Sequence, residues 1–167
     1  MAIQWWQKNK GLLLAEKDAL DVILKGNPYR WDFEDDTGNL YLDVILRPFE
    51  KNNDYTEYFI RMMYMPNHPS KEYGYSGSVR VYPKGKFKEK IEELIREGEL
   101  PPHLIKDHDR DEYYICGAQP EYFKTGKTIT SGAVMLKAAL IYISLFHLTL
   151  LGKISFDDWR HDFPFQI

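Results

Sequence analysis

Apolar positions recur at helical spacing near the start of the chain. Leu12, Leu13, Ala19, Leu20 and Ile23 share one side of residues 11–25, and Gly26 is placed to stop the helix. Asn27-Pro28 breaks that pattern and strand signals follow. Residues 29–33 are aromatic-rich, and Asp36-Thr37-Gly38-Asn39 reads as a turn. Leu40, Leu42, Val44 and Leu46 then alternate with Tyr41, Asp43, Ile45 and Arg47, the pattern of a strand with one buried face. After a polar loop at 50–54, a third strand is predicted over 57–65, ended by Pro66, and a fourth over 78–82. The period then changes: Phe87, Ile91, Leu94 and Ile95 form a helical stripe within 86–97, and Gly98 is a suitable cap. Residues 100–114 lack clear periodicity and read as a long ordered loop. The longest apolar run, 133–151, has Thr130 or Ser131 to cap it and Gly152 to end it. It contains Lys137 and His147, which favours a core helix over a membrane span.

Adjacent strands joined by short turns imply an antiparallel sheet, and helices kept apart from it imply an α+β fold. The expected order is an N-terminal helix, a four-stranded antiparallel meander, an inserted helix, an active-site loop and a long C-terminal core helix.

Composition narrows the class. A chain of 167 residues suits one domain spanning 1–167, and 44% hydrophobic with 28% charged residues is ordinary globular usage. A net charge of −3 leaves no electrostatic footprint for nucleic acid. The single cysteine allows no intramolecular disulfide, which fits a reducing compartment. Residues 1–10 carry no long apolar run, so no signal peptide is expected, and the predicted location is the cytoplasm.

Cys116 is the sharpest chemical feature: it follows a stretch rich in Asp, Arg and His and precedes Gly117. A reactive cysteine needs access and groups that stabilise its thiolate, whereas an inert one packs as a small hydrophobe. His103 and His108 are candidates to orient or stabilise groups near it. His103, Asp107, His108, Asp109 and Asp111 cluster, but without zinc-ligand spacing, so no metal is predicted. No cofactor is predicted either. Gly126-Lys127-Thr128 resembles the end of a phosphate loop, yet Glu121 stands where the leading glycine belongs. There is no Gly-x-Ser-x-Gly elbow.

Four segments, taken in order, carry a resemblance. The first is the opening helix with Asn27-Pro28-Tyr29-Arg30-Trp31 and the Gly38 hairpin. The second is Tyr64-Met65-Pro66 with His68-Pro69, followed by Val79-Arg80-Val81-Tyr82-Pro83. The third is Pro101-Pro102-His103-Leu104-Ile105, an acidic stretch, and Tyr114-Ile115-Cys116. The fourth is the long helix ending at Leu151-Gly152, followed by Trp159-Arg160-His161. Together they resemble the ubiquitin-conjugating-enzyme fold, and more narrowly its bacterial stand-alone members from antiphage defence operons that signal through cyclic oligonucleotides. The sequence departs from the family in three places. The His-Pro-Asn tripeptide is missing upstream of Cys116, and Asn67-His68-Pro69 lies too early to replace it. Gly117 stands where a larger apolar residue is usual, and Tyr122-Phe123 replaces a tryptophan.

The resemblance implies a thiol transferase. Cys116 would accept the C-terminal glycine of a partner as a thioester and pass it to an amine, commonly a lysine. His103 or a backbone amide would stabilise the oxyanion, and Asp109 or Asp111 would help deprotonate the amine. The implied partner is a nucleotidyltransferase related to cyclic GMP-AMP synthase. The competing partner is a ubiquitin-like protein served by a separate activating enzyme. With no nucleotide site of its own, the chain would receive an already activated acyl group. The alternatives are a catalytically inactive module of the same fold that holds proteins, and a small cysteine hydrolase.

Overall fold

Asn9 separates two helices: it ends α1 (Trp5–Lys8), and its side chain accepts the Leu12 amide to cap α2 (Lys10–Leu24). The computed structural model describes residues 3–118 and 125–161. After α2 come β1 (Tyr29–Phe33), β2 (Leu40–Leu46), β3 (Tyr58–Tyr64) and β4 (Val79–Lys84). Then follow α3 (Gly85–Arg96), β5 (Leu104–Asp107), β6 (Glu112–Ile115) and α4 (Gly132–Leu150). Short 3-10 segments occupy Glu50–Asn52, Lys71–Ser76 and Phe156–Trp159.

The fold is α+β, with one antiparallel sheet in the order β1-β2-β3-β4-β6-β5. The first four strands form the expected meander, but the described sheet has six strands, not four. Residues 100–114 are not the continuous loop expected: they hold the β5–β6 hairpin. Its strands are only four residues each and half-buried, so no long alternation marks them in sequence. Strand β4 also runs through Pro83, which lies opposite Ile60 in the sheet.

Pleating sends Leu42, Val44, Ile60, Met62, Val79 and Val81 into the main core, under α2 and α4. Helix α4 brings Met135, Leu136, Tyr142, Ile143 and Phe146, all at most 2% exposed. Burying each large apolar side chain is worth roughly 1.5–3 kcal/mol. By length and composition α4 is apolar enough to cross a membrane, and here one side of it fills the core. Ser131, one of the two expected caps, accepts the Val134 amide.

The other face of the sheet is a tyrosine and methionine layer: Tyr41, Met63, Met65, Tyr82 and Tyr114. Guanidinium groups cover it. Arg61 lies 3.8 Å from the Tyr41 ring centre, Arg80 4.9 Å from that of Tyr114, and Arg110 5.7 Å from that of Tyr82. Asp43, directly opposite Arg61 on the neighbouring strand, accepts two of its N–H groups at 2.8 and 2.9 Å. Glu34 accepts two from Arg110 at 2.7 and 2.6 Å, which ties the β5–β6 turn to the β1–β2 turn.

Two buried polar clusters hold the helices to the sheet. In the last turn of α4, His147 Nδ1 lies 2.8 Å from the Tyr58 hydroxyl and Nε2 lies 2.5 Å from Asp54 Oδ2. Burial raises the Tyr58 phenol, which stays protonated. Tyr58→Phe should lower stability by about 1–2 kcal/mol in urea denaturation, because the buried imidazole nitrogen loses its partner. Unchanged stability would mean that the contact contributes nothing. The second cluster joins α2 to the start of α4. Glu16 Oε2 accepts the Tyr64 hydroxyl at 2.7 Å and the Gly132 amide at 2.9 Å. His68 Nε2 stands 3.4 Å from Glu16 Oε1, near enough for attraction but out of hydrogen-bond alignment. Its Nδ1 lies 2.8 Å from Ser78 Oγ.

Candidate active site

The β5–β6 hairpin positions Cys116. Strand β6 joins the sheet through Val81 opposite Ile115, and Cys116 is the next residue. Its amide donates to the His103 carbonyl at 2.8 Å, continuing the ladder one step beyond Leu104 opposite Ile115. The thiol is thus placed by backbone pairing at the end of a strand.

Cys116 is buried, with 8% of the residue's surface exposed. Burial pushes its pKa up, and the Ala118 backbone amide offsets part of that. Among the described residues no imidazole or cation adds to the stabilisation of its thiolate. Gly117 explains one departure from the expected family pattern. A β-carbon there would sit 3.0 Å from Ile129 Cδ1 and 3.1 Å from Met135 Sδ and Cε, so the first turn of α4 and the residues before it already fill the space.

His103 is the one other candidate beside Cys116, and its backbone is what meets the cysteine. It has φ +57, and its ring Nε2 lies 2.7 Å from the Trp159 carbonyl oxygen. His108 and Asp111 are not brought to the thiol. They lie in the turn at the opposite end of the hairpin, roughly 13–17 Å away by strand rise. Asp111 has φ +51 and accepts from Lys106 Nζ at 2.7 Å, and that hydrogen bond lowers its carboxyl pKa. Asp109 lies in the same turn, where its amide donates to Asp107. The sequence cluster of His103, Asp107, His108, Asp109 and Asp111 is therefore spread along a hairpin. No group of three metal-binding side chains forms among the described residues. Tyr122-Phe123 lies outside the described residues.

No role was expected for Glu16 or Ser78, and His68 figured only in a proline-rich strand exit, yet all three are buried. Glu16, His68 and Ser78 form a chain that has the residue types of a hydrolase triad. Ser78 is fully buried, so no substrate reaches it, and the chain serves the core. A glutamate within the first apolar helix was the available signal, because such a residue is rarely buried unless paired.

Comparison with protein-family models, with curated proteins and with solved structures returned no match.

Proposed function

We propose that the chain is an acyl carrier of the ubiquitin-conjugating type, with Cys116 as the carrier atom. The supporting observation is the placement of the single thiol: at a strand end, fixed through its amide by His103, and without a base beside it among the described residues. A cysteine hydrolase needs an imidazole to activate the thiol and then water.

In the proposed reaction the Cys116 thiol gives its proton to solvent, its sulfur attacks the carbonyl carbon of a partner's activated C-terminal glycine, and the activating group departs with the bonding pair. A neutral amine then attacks the thioester. The amide bond forms as the C–S bond breaks, and the amine proton returns to the Cys116 thiolate. The acyl donor is a nucleotidyltransferase related to cyclic GMP-AMP synthase or a ubiquitin-like protein, activated by a separate enzyme. The second reading is a protein-holding module without catalysis, favoured by the burial of Cys116.

Protein isolated from its native host under non-reducing conditions should carry an adduct that thiol reductant removes. Cys116→Ala should abolish it, and Cys116→Ser should retain a reductant-resistant ester. Conjugates that persist in cells carrying Cys116→Ala would falsify the carrier role and leave the holding module.

A further inference from the structure

Strand β5 is the last strand on its side of the described sheet. The ladder shows which of its groups face outward. The Cys116 amide bonds to the His103 carbonyl, and Leu104 lies opposite Ile115, Ile105 opposite Tyr114 and Lys106 opposite Tyr113. In an antiparallel pair, hydrogen-bonded and non-bonded positions alternate. His103 and Ile105 therefore turn their peptide groups toward β6. Leu104 and Lys106 present N–H and C=O away from it, and no described residue bonds to those groups. Buried or half-buried backbone of this kind is a template for another strand.

A cleft of about 370 Å³ runs beside this edge, between α3 and the hairpin. Ile91, Ile95, Pro83 and Tyr113 line it, so it takes apolar side chains. Lys106 lies opposite Tyr113 in the ladder, so this side of the hairpin faces the cleft. The charges around it are mostly matched: Glu112 binds Lys84 and Lys88, and Asp111 binds Lys106. Arg96, at the end of α3, lines the cleft with no ion-pair partner among the described residues.

We infer that β5 is the docking strand for the acyl donor: an extended C-terminal peptide adds beside it, antiparallel, with alternate side chains in the α3 cleft and an acidic one at Arg96. This rests on the carrier reading of Cys116. Direction follows from the topology. Leu104 is the end of β5 nearest Cys116, so a chain arriving with its C terminus at the thiol runs against β5. That is the more stable sense of pairing. The incoming strand lies two strand spacings from β6, roughly 10 Å, so about three extended residues carry the terminal glycine past His103 to the sulfur.

The test uses a ten-residue peptide of Val and Thr with one Glu and a C-terminal Gly. Its free acid is used for binding to the ¹⁵N-labelled full chain, and its glycine thioester for transfer. On adding the free acid, the Leu104 and Lys106 amides should gain protection from exchange, while the Ile105 amide, already bonded inward, should not change. Lys106→Pro removes one outward N–H and is compatible with a sheet edge, so it should weaken binding about tenfold or more relative to Lys106→Ala. Arg96→Glu should weaken it further for the Glu peptide and not for its Lys counterpart. Equal binding by Lys106→Pro and Lys106→Ala, or no protection at about 2 mM peptide, overturns the docking strand. Cys116→Ala should keep the edge protection and lose transfer, which separates the two ideas. Edge protection without transfer in the unaltered chain sinks the carrier alone, and transfer that is undiminished in Lys106→Pro sinks the docking strand alone.

Discussion

Gly132→Ala is expected to destabilise the protein by about 3–5 kcal/mol, although the same change at most helical glycines is stabilising. Gly132 is the first residue of α4, and an added β-carbon would lie 2.1 Å from the Tyr64 hydroxyl and 2.8 Å from Glu16 Oε2. Neither partner has room to retreat. Tyr64 is fully buried, with its ring 5.0 Å from Trp5, 6.1 Å from Trp31 and 4.8 Å from His68, centre to centre. The methyl group must therefore displace the start of α4 or break the hydrogen bonds to a buried carboxylate, each of which is worth roughly 1.5–3 kcal/mol. Gly11→Ala is the control. It lies in α2, the nearest atom to its added β-carbon is 3.6 Å away, and it should be neutral or stabilising by up to about 1 kcal/mol. Guanidinium denaturation of both variants at neutral pH measures the contrast. Similar midpoints would show that the α4 start yields freely.

Glu16 sets the second large expectation. Burial raises its carboxyl pKa, but the adjacent His68 ring, the Tyr64 hydroxyl and the Gly132 amide together outweigh burial and leave it below the ordinary 4.5. A carboxylate lowered by folding contributes stability that is complete above its unfolded value and is lost as pH falls through its folded value. The chain should therefore lose stability on acidification from about pH 5 downward. Glu34, lowered chiefly by Arg110, adds a loss of the same sign. Glu16→Gln isolates the α2 contribution. It removes the charge that pairs with the helix start and should cost about 2–3 kcal/mol at neutral pH, while the acid limb becomes shallower. Parallel pH profiles for the two proteins, offset by a constant, would show that Glu16 titrates alike in folded and unfolded chains.

These expectations turn on residues that periodicity alone treats as incidental. Leu12, Leu13, Leu20 and Ile23 marked α2 within a residue of its observed ends, yet the same helix places Glu16 at the heart of the core. The β2 alternation was legible because one strand face is apolar over seven residues. The β5–β6 hairpin was not. Its strands are short, three of their eight positions are charged, and the pairing that joins it to the sheet is long-range, Val81 opposite Ile115. Cys116 was legible as the one thiol, but its neighbours were not. His108 and Asp111 are close in sequence and belong to the far end of a hairpin, whereas Ile129 and Met135, which pack on the adjoining Gly117, are over ten residues away.

By itself, then, the amino-acid order determined the α+β class, the opening meander, the two long helices and the presence of a single thiol. Each is encoded by local spacing or by residue count. Tertiary structure decided the six-stranded sheet, the burial and raised pKa of the thiol, the pairing of Glu16 with the start of α4, and the outer edge of β5, unpaired among the described residues. Those depend on which segments meet across the fold, because desolvation and hydrogen-bond partners are set by spatial neighbours and not by neighbours along the chain.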